Sequence, residues 1–224
     1  MILAINSKMW MEILLGIGQT LFMTLISTLF AYLFGIPLGV ILNVTSKDGI
    51  SPNKIINSIV GVFVNILRSV PFLILAVFII PFTRLIVGTS IGTTAMLVPL
   101  IVAAAPYVAR MVESSLKEVE AGKIEAAQAM GSSKMNIILK VLLIEAKPSL
   151  IVGAAIASAT ILGYTAMAGF IGGGGLGDIA LRYGYYRYQD DVMLVAIIIL
   201  IVIVQVLQEL GMYISKKLDN RIRK

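Results

Sequence analysis

Enzyme chemistry needs nucleophiles, acids, bases or metal ligands, and this chain offers few of them. It has no histidine and no cysteine, which removes thiol nucleophiles, disulfides and the usual zinc sites. Within its long apolar stretches the carboxylates do not cluster and no serine is matched with a base, so no acid–base or acyl-transfer set is in view. The four consecutive glycines Gly172 to Gly175 suggest a phosphate cradle, but no Gly-Lys-Ser/Thr follows, as a P-loop requires. They read instead as a turn. Three other patterns remain, and each suits guiding or moving something. They are the polar interruption EAAQAMGSSKMNIILKVLL (Glu125 to Leu143), a polar stripe carrying Asn65 and Arg68, and the late-span pair Tyr164 and Met167.

The interruption has its own helical pattern. Glu125, Ala126 and Ala127 open an alanine-rich run on an acid, as a helix start prefers. Gly131, Ser132 and Ser133 break that run and place a serine to cap a second helix. Met135, Ile138, Leu139 and Leu142 then fall at i, i+3, i+4 and i+7 on one apolar face, while Lys134 and Lys140 fall away from it. Two short helices about a glycine corner make a compact knob. Two readings follow: a handle by which another protein moves membrane helices, or an amphipathic helix resting on the lipid surface.

Composition sets the surroundings. With 58% hydrophobic and 13% charged residues over 224 positions and a mean hydropathy of +0.97, the chain reads as an integral, multi-pass membrane protein of the cell membrane, all-α in class. Five spans are expected, at about 13–42, 56–82, 86–109, 149–171 and 192–214, with a loop over 110–147, in a single transmembrane domain over 1–224. Met1 to Glu12, with Lys8 and Trp10, reads as an interface anchor rather than a targeting peptide. The formal charge of +6 does not indicate nucleic acid, because aromatic residues do not interleave with the cations.

Within the spans, Lys54, Ser58, Gly61, Asn65 and Arg68 recur at steps of four and three. An arginine inside a membrane segment is costly and suggests function. The stripe faces either the bundle and a translocation path, or the interface with Arg68 snorkelling. Gly35 and Gly39 flank Pro37 as a GxxxG pair, either a close helix contact or a chance occurrence. Pro99 and Pro106 require packing against protein. Met167 reads as a pore constriction or as core filler, with Tyr164 beside it. The tyrosines after the glycine run read as a headgroup belt.

Five spans put the termini on opposite sides. Thirteen Lys and Arg lie in the 43–55 loop, the 110–147 loop and the C-terminal tail, against four on the other side (Lys8, Arg84, Arg182 and Arg187), with Arg68 in the membrane. The excess belongs in the cytoplasm. The N-terminus is therefore expected outside, and the knob and tail inside.

On these residues the knob resembles the EAA loop of ABC importer permeases. Glu125, Ala126, Ala127, Gly131, Val141 and Leu143 match it, and Ile144 stands where that family has proline. RSVPF (Arg68 to Phe72), IPFTRLIVGTSIG (Ile80 to Gly92), AAPYVARMVE (Ala104 to Glu113) and GYTAMAGFIGGGGLGDIALRYGY (Gly163 to Tyr185) extend the resemblance, to methionine-type ABC importer permeases, over nearly the whole chain. The resemblance implies a permease rather than an enzyme. It also implies a homodimer with two ATPase subunits that bind ATP and Mg, and a substrate-binding lipoprotein delivering methionine, as the L form with the D form a further candidate. Glu125, Ala126, Ala127, Gly131, Met135, Ile138 and Leu139 would then couple to the ATPase, and Met167, Tyr164, Asn65 and Arg68 are the pore or gate candidates. No cofactor, metal or nucleic acid is expected on this chain, and lipid is its remaining partner. The alternatives are a permease for another amino acid or small peptide, and a secondary carrier. A carrier should hold coupling charges at mid-membrane, where only Arg68 is found.

Overall fold

The computed structural model describes residues 7–218, and every regular element among them is helical. Met1 to Asn6 of the expected anchor, and Arg221, Arg223 and Lys224 of the basic tail, lie outside the described residues. In chain order the α-helices are α1 (Ser7–Val44), α2 (Lys54–Ser69), α3 (Phe72–Phe78), α4 (Ile80–Val87), α5 (Thr93–Lys117) and α6 (Ala121–Ala129). They continue with α7 (Lys134–Asn136), α8 (Leu143–Glu145), α9 (Lys147–Ala168), α10 (Gly175–Ile179) and α11 (Asp190–Leu218). Two π-helical segments, Ile137–Leu142 and Ala180–Tyr185, and one 3-10 turn, Gly169–Ile171, complete the set.

Four stretches are long and apolar enough to cross a membrane: α1, α5, Lys147–Ile171 and α11. A fifth arises if α2 and α3 count as one broken span. The span expected over 56–82 is thus broken at Pro71, between α2 and α3. Pro71 has no amide to donate and pushes Val70 out of helical conformation, so α2 stops at Ser69. Pro81 does no such damage, because it falls in the first turn of α4, where an amide would be unsatisfied anyway.

The third span is also displaced, from 86–109 to Thr93–Lys117. Gly88 ends α4 in a left-handed cap. At the other end Val112 and Leu116 are fully buried, which carries the helix beyond Arg110. The expectation that α5 packs within protein agrees with its burial, 61% of an apolar 18-residue stretch against 17% for α11.

Contacts divide the described chain into two compact units. One comprises residues 7–30, 70–104 and 158–208, and the other residues 31–69, 105–157 and 209–218. In the first, Ile13, Leu176, Ile179, Tyr183, Val192 and Val195 form the core. In the second, Leu42, Val64 and Ala109 do so, with Leu38 and Val60 against them. There the GxxxG pair is a close contact: a Cβ at Gly35 would lie 2.6 Å from Val108, and one at Gly39 2.6 Å from the Ala109 carbonyl.

The division also sorts the cations. Lys8, Arg84, Arg182 and Arg187 fall in the first unit. Lys47, Lys54, Arg110, Lys117, the knob lysines, Lys216 and Lys217 fall in the second, and so does Arg68.

Candidate functional site

The knob is built at its corner. α6 ends at Ala129, and Gly131 turns left-handed with φ +76. The Gly131 amide donates to the Gln128 carbonyl at 2.9 Å and the Ser132 amide to the Ala127 carbonyl at 3.1 Å. These two bonds are the Schellman pattern, which ends a helix with its last carbonyls satisfied. Ser133 then caps the next helix, its Oγ accepting from the Asn136 amide at 3.3 Å. Lys123 Nζ meets Glu145 Oε2 at 2.5 Å and joins α6 to α8, while Lys134 Nζ donates to Ser51 Oγ at 2.9 Å.

Two expectations about the knob need correction. Glu125 does not open its helix. α6 begins at Ala121 after Glu120, one turn earlier and despite Gly122 within that turn, so local propensity does not set its start. The apolar face is also not the one expected. Ile137 and Leu142 are the buried pair, five residues apart, because the segment between them is π-helical and its i→i+5 bonding widens the turn. Ile138 is half-buried. Met130, Met135, Leu139 and Ile144 are left exposed, at 78%, 61%, 52% and 59%. Ala127 is buried, whereas Glu125 and Ala126 face outward. Beside them lies a cleft of about 630 Å³, lined by Glu125 and Gln128 from α6, Lys117 from α5 and Asp48 from the loop after α1.

The pore candidates fall in different places. In the first unit Tyr164 stacks on Phe72, with ring centroids 5.0 Å apart and planes within 5°, and Met167 is partly exposed on the same helix. In the second, Asn65 Oδ1 accepts from Arg110 Nη2 at 2.9 Å, and the Gly61 carbonyl accepts from the same nitrogen at 3.3 Å. Of the stripe, Gly61 is buried, while Lys54, Ser58, Asn65 and Arg68 are exposed, Asn65 with its oxygen tied to Arg110.

Arg110 and Glu113 were not singled out from the sequence as site residues. Glu113 is buried, and its carboxylate accepts from Arg110 at 2.6 Å and Lys117 at 2.7 Å. The i, i+3 and i, i+4 spacing of Arg110, Glu113 and Lys117 is the signal that points to this network. Gln19 and Thr20 were missed as well. The Gly175 amide donates to Gln19 Oε1 at 2.8 Å, and the Leu176 amide to Thr20 Oγ1 at 2.9 Å. Those amides are the ones a phosphate would need, so the glycine run does not fit a nucleotide. A Gln-Thr pair within an uncharged span is the sequence cue for these partners.

Beyond the glycines, Tyr183 Oη donates to both Glu12 oxygens, at 2.9 and 2.7 Å. The bond to Glu12, then burial, holds its phenol above the usual tyrosine range, against the opposing pull of Arg182 and Arg187. Tyr185, Tyr186 and Tyr188 are exposed.

The comparisons agree with this arrangement. Residues 35–224 match the family described as "Binding-protein-dependent transport system inner membrane component". The chain is 50% identical over 218 residues to the "Probable D-methionine transport system permease protein MetI" of Vibrio cholerae, covering 97% of this chain and 96% of that protein. It is 48% identical over 203 residues to the "Methionine import system permease protein MetP" of Bacillus subtilis, with 91% of each covered. A solved structure of the MetNI methionine ABC transporter in an inward-facing conformation is similar at a TM-score of 0.95 and 45% identity, over 96% of this chain and all of that one. The protein is thus a multi-pass inner-membrane permease component and not the ATPase. The chain belongs to the binding-protein-dependent transport system inner membrane components, among the permeases of methionine ABC importers.

Proposed function

We propose that residues 1–224 form a single transmembrane permease domain that pairs with a second copy to make the translocation pathway for methionine. An external substrate-binding lipoprotein delivers the substrate, and two ATPase subunits carrying ATP and Mg drive the cycle. The N-terminus lies outside and the knob inside, as the distribution of cations favours. The observation that carries this reading is the knob itself. Its corner is fixed by the two bonds at Gly131, and it leaves Met130, Met135 and Leu139 exposed on a water-facing element. Apolar groups presented this way are suited to burial in a partner's groove.

Glu125, Ala126, Ala127, Gly131, Met135, Ile138 and Leu139 couple to the ATPase in this account. Closure of the ATPase pair draws the two knobs together, and the packed helices convert that displacement into alternating opening. Ala127 anchors α6 from its buried side, while Glu125 and Ala126 face the partner. Tyr164 and Met167 narrow the path. Asn65, held by Arg110, and Arg68 border it in the second unit. The test is uptake of radiolabelled methionine by proteoliposomes holding permease, ATPase subunit and binding protein. ATP-dependent uptake supports the reading. If another amino acid is taken up and methionine is not, the substrate assignment fails.

A further inference from the structure

We propose that Tyr32, Ser115 and Ser215 are positioning residues that clasp the first turn of α9 and distribute the displacement of the knob to three helices at once. The inference rests on reading the knob as the element that docks on the ATPase.

No flexible linker separates the knob from α9. α8 ends at Glu145, and the one residue between, Ala146, is buried with φ −78 and ψ −8. Its amide donates to the Leu142 carbonyl, and its carbonyl accepts from the Leu150 amide, both at 2.9 Å. At this end, movement of the knob therefore passes directly to Lys147 to Leu150. Three hydroxyls from three different helices meet that turn. Ser215 of α11 donates to the Pro148 carbonyl at 2.9 Å, and Tyr32 of α1 donates to the Leu150 carbonyl at 3.2 Å. Ser115 of α5 accepts from Ser149 Oγ at 2.9 Å.

Simple satisfaction of polar groups does not account for this pattern. Carbonyls at the start of a helix already accept an amide four residues on, so the two carbonyls receive second bonds that they do not require. Thr28 and Thr165, by contrast, donate to carbonyls of their own helix, those of Thr24 and Leu162. The three named here reach across to one turn of another helix. Just beyond it the helices nearly touch. A Cβ at Gly153 would lie 3.0 Å from Tyr32 Oη, and one at Gly211 2.3 Å from the Ala155 Cβ. Interfaces packed this closely transmit a shift rather than absorb it.

The test uses the complex of permease, ATPase subunit and binding protein in liposomes, and reads methionine moved per ATP hydrolysed. In the Ser115→Ala, Ser215→Ala double variant the ATPase subunit should be retained and hydrolysis should stay within about twofold of wild type, while the ratio falls at least threefold. Tyr32→Phe removes one oxygen and keeps the ring. It should lower the ratio in the same direction, and it serves as the reading if the double variant does not reach the membrane. An unchanged ratio, or an equal fall in uptake and hydrolysis, overturns the clasp. Failure of the wild-type permease to retain the ATPase subunit is a different result and defeats the knob reading itself.

Discussion

The Gly131 amide donates to the Gln128 carbonyl at 2.9 Å while Gly131 itself sits at φ +76, with open space where a Cβ would be. The cost of a side chain there is conformational and not steric. Gly131→Ala should weaken the corner by about 1 kcal/mol, and Gly131→Asn by less, since asparagine tolerates the left-handed region. Uptake by otherwise identical complexes should rank Gly above Asn above Ala, at equal amounts of permease in the membrane.

Glu113 balances two cations from a buried position, and its loss should cost more than the loss of the exposed Lys117. Glu113→Gln removes the charge shared by Arg110 and Lys117 and should destabilise the permease by about 2 to 3 kcal/mol. Lys117→Met should cost about 1 kcal/mol or less, because the lysine side chain is 55% exposed. Thermal unfolding in detergent separates the two variants, and equal shifts would mean that the network carries little weight.

Much of this was legible in the sequence where the cause is local. Gly131 and Ser133 occupy the corner and the cap because only the residues beside them decide those conformations. The helix break at Pro71 is visible as a proline, but the apolar residues that continue on both sides do not show how sharply the chain bends there. The register of the knob was not legible. A period of 3.6 pairs Met135 with Leu139 and Leu142, and nothing in the residue types announces the π-helical turn that buries Ile137 with Leu142. Contacts between distant segments, such as Asn65 with Arg110 or Gln19 with Gly175, depend on which helices become neighbours, and one sequence does not carry that.

The glycines separate into those that are needed and those that are not. A Cβ at Gly177 would lie 2.3 Å from the Ala166 carbonyl, whereas one at Gly18 meets nothing within 4 Å. Gly177→Ala should therefore abolish the folded permease or lower its melting temperature sharply. Gly18→Ala should leave it folded and add up to about 1 kcal/mol from helix propensity. Detergent-phase size exclusion after expression of both variants gives the comparison.

Tyr183 contributes through its protonated hydroxyl, which donates to Glu12. Its phenol titrates above the ordinary value of 10.0. The stabilisation is thus complete below pH 10 and is lost as pH rises through the higher folded value. Tyr183→Phe should lower stability by about 1 kcal/mol near neutrality. The gap between wild type and variant should close above pH 10, as followed by thermal unfolding across that range.

The central claim is that the knob docks on a separate ATPase subunit, and co-purification tests it most directly. Tagged permease is drawn from solubilised membranes with and without ATP, as wild type and as Gly131→Asp. The account predicts that the ATPase subunit accompanies the wild type and that Gly131→Asp, which adds a charge beside the exposed Met130 and Met135 as well as a side chain, stays in the membrane but loses both the subunit and ATP-driven uptake. A permease that comes down alone and still carries methionine after reconstitution would contradict it.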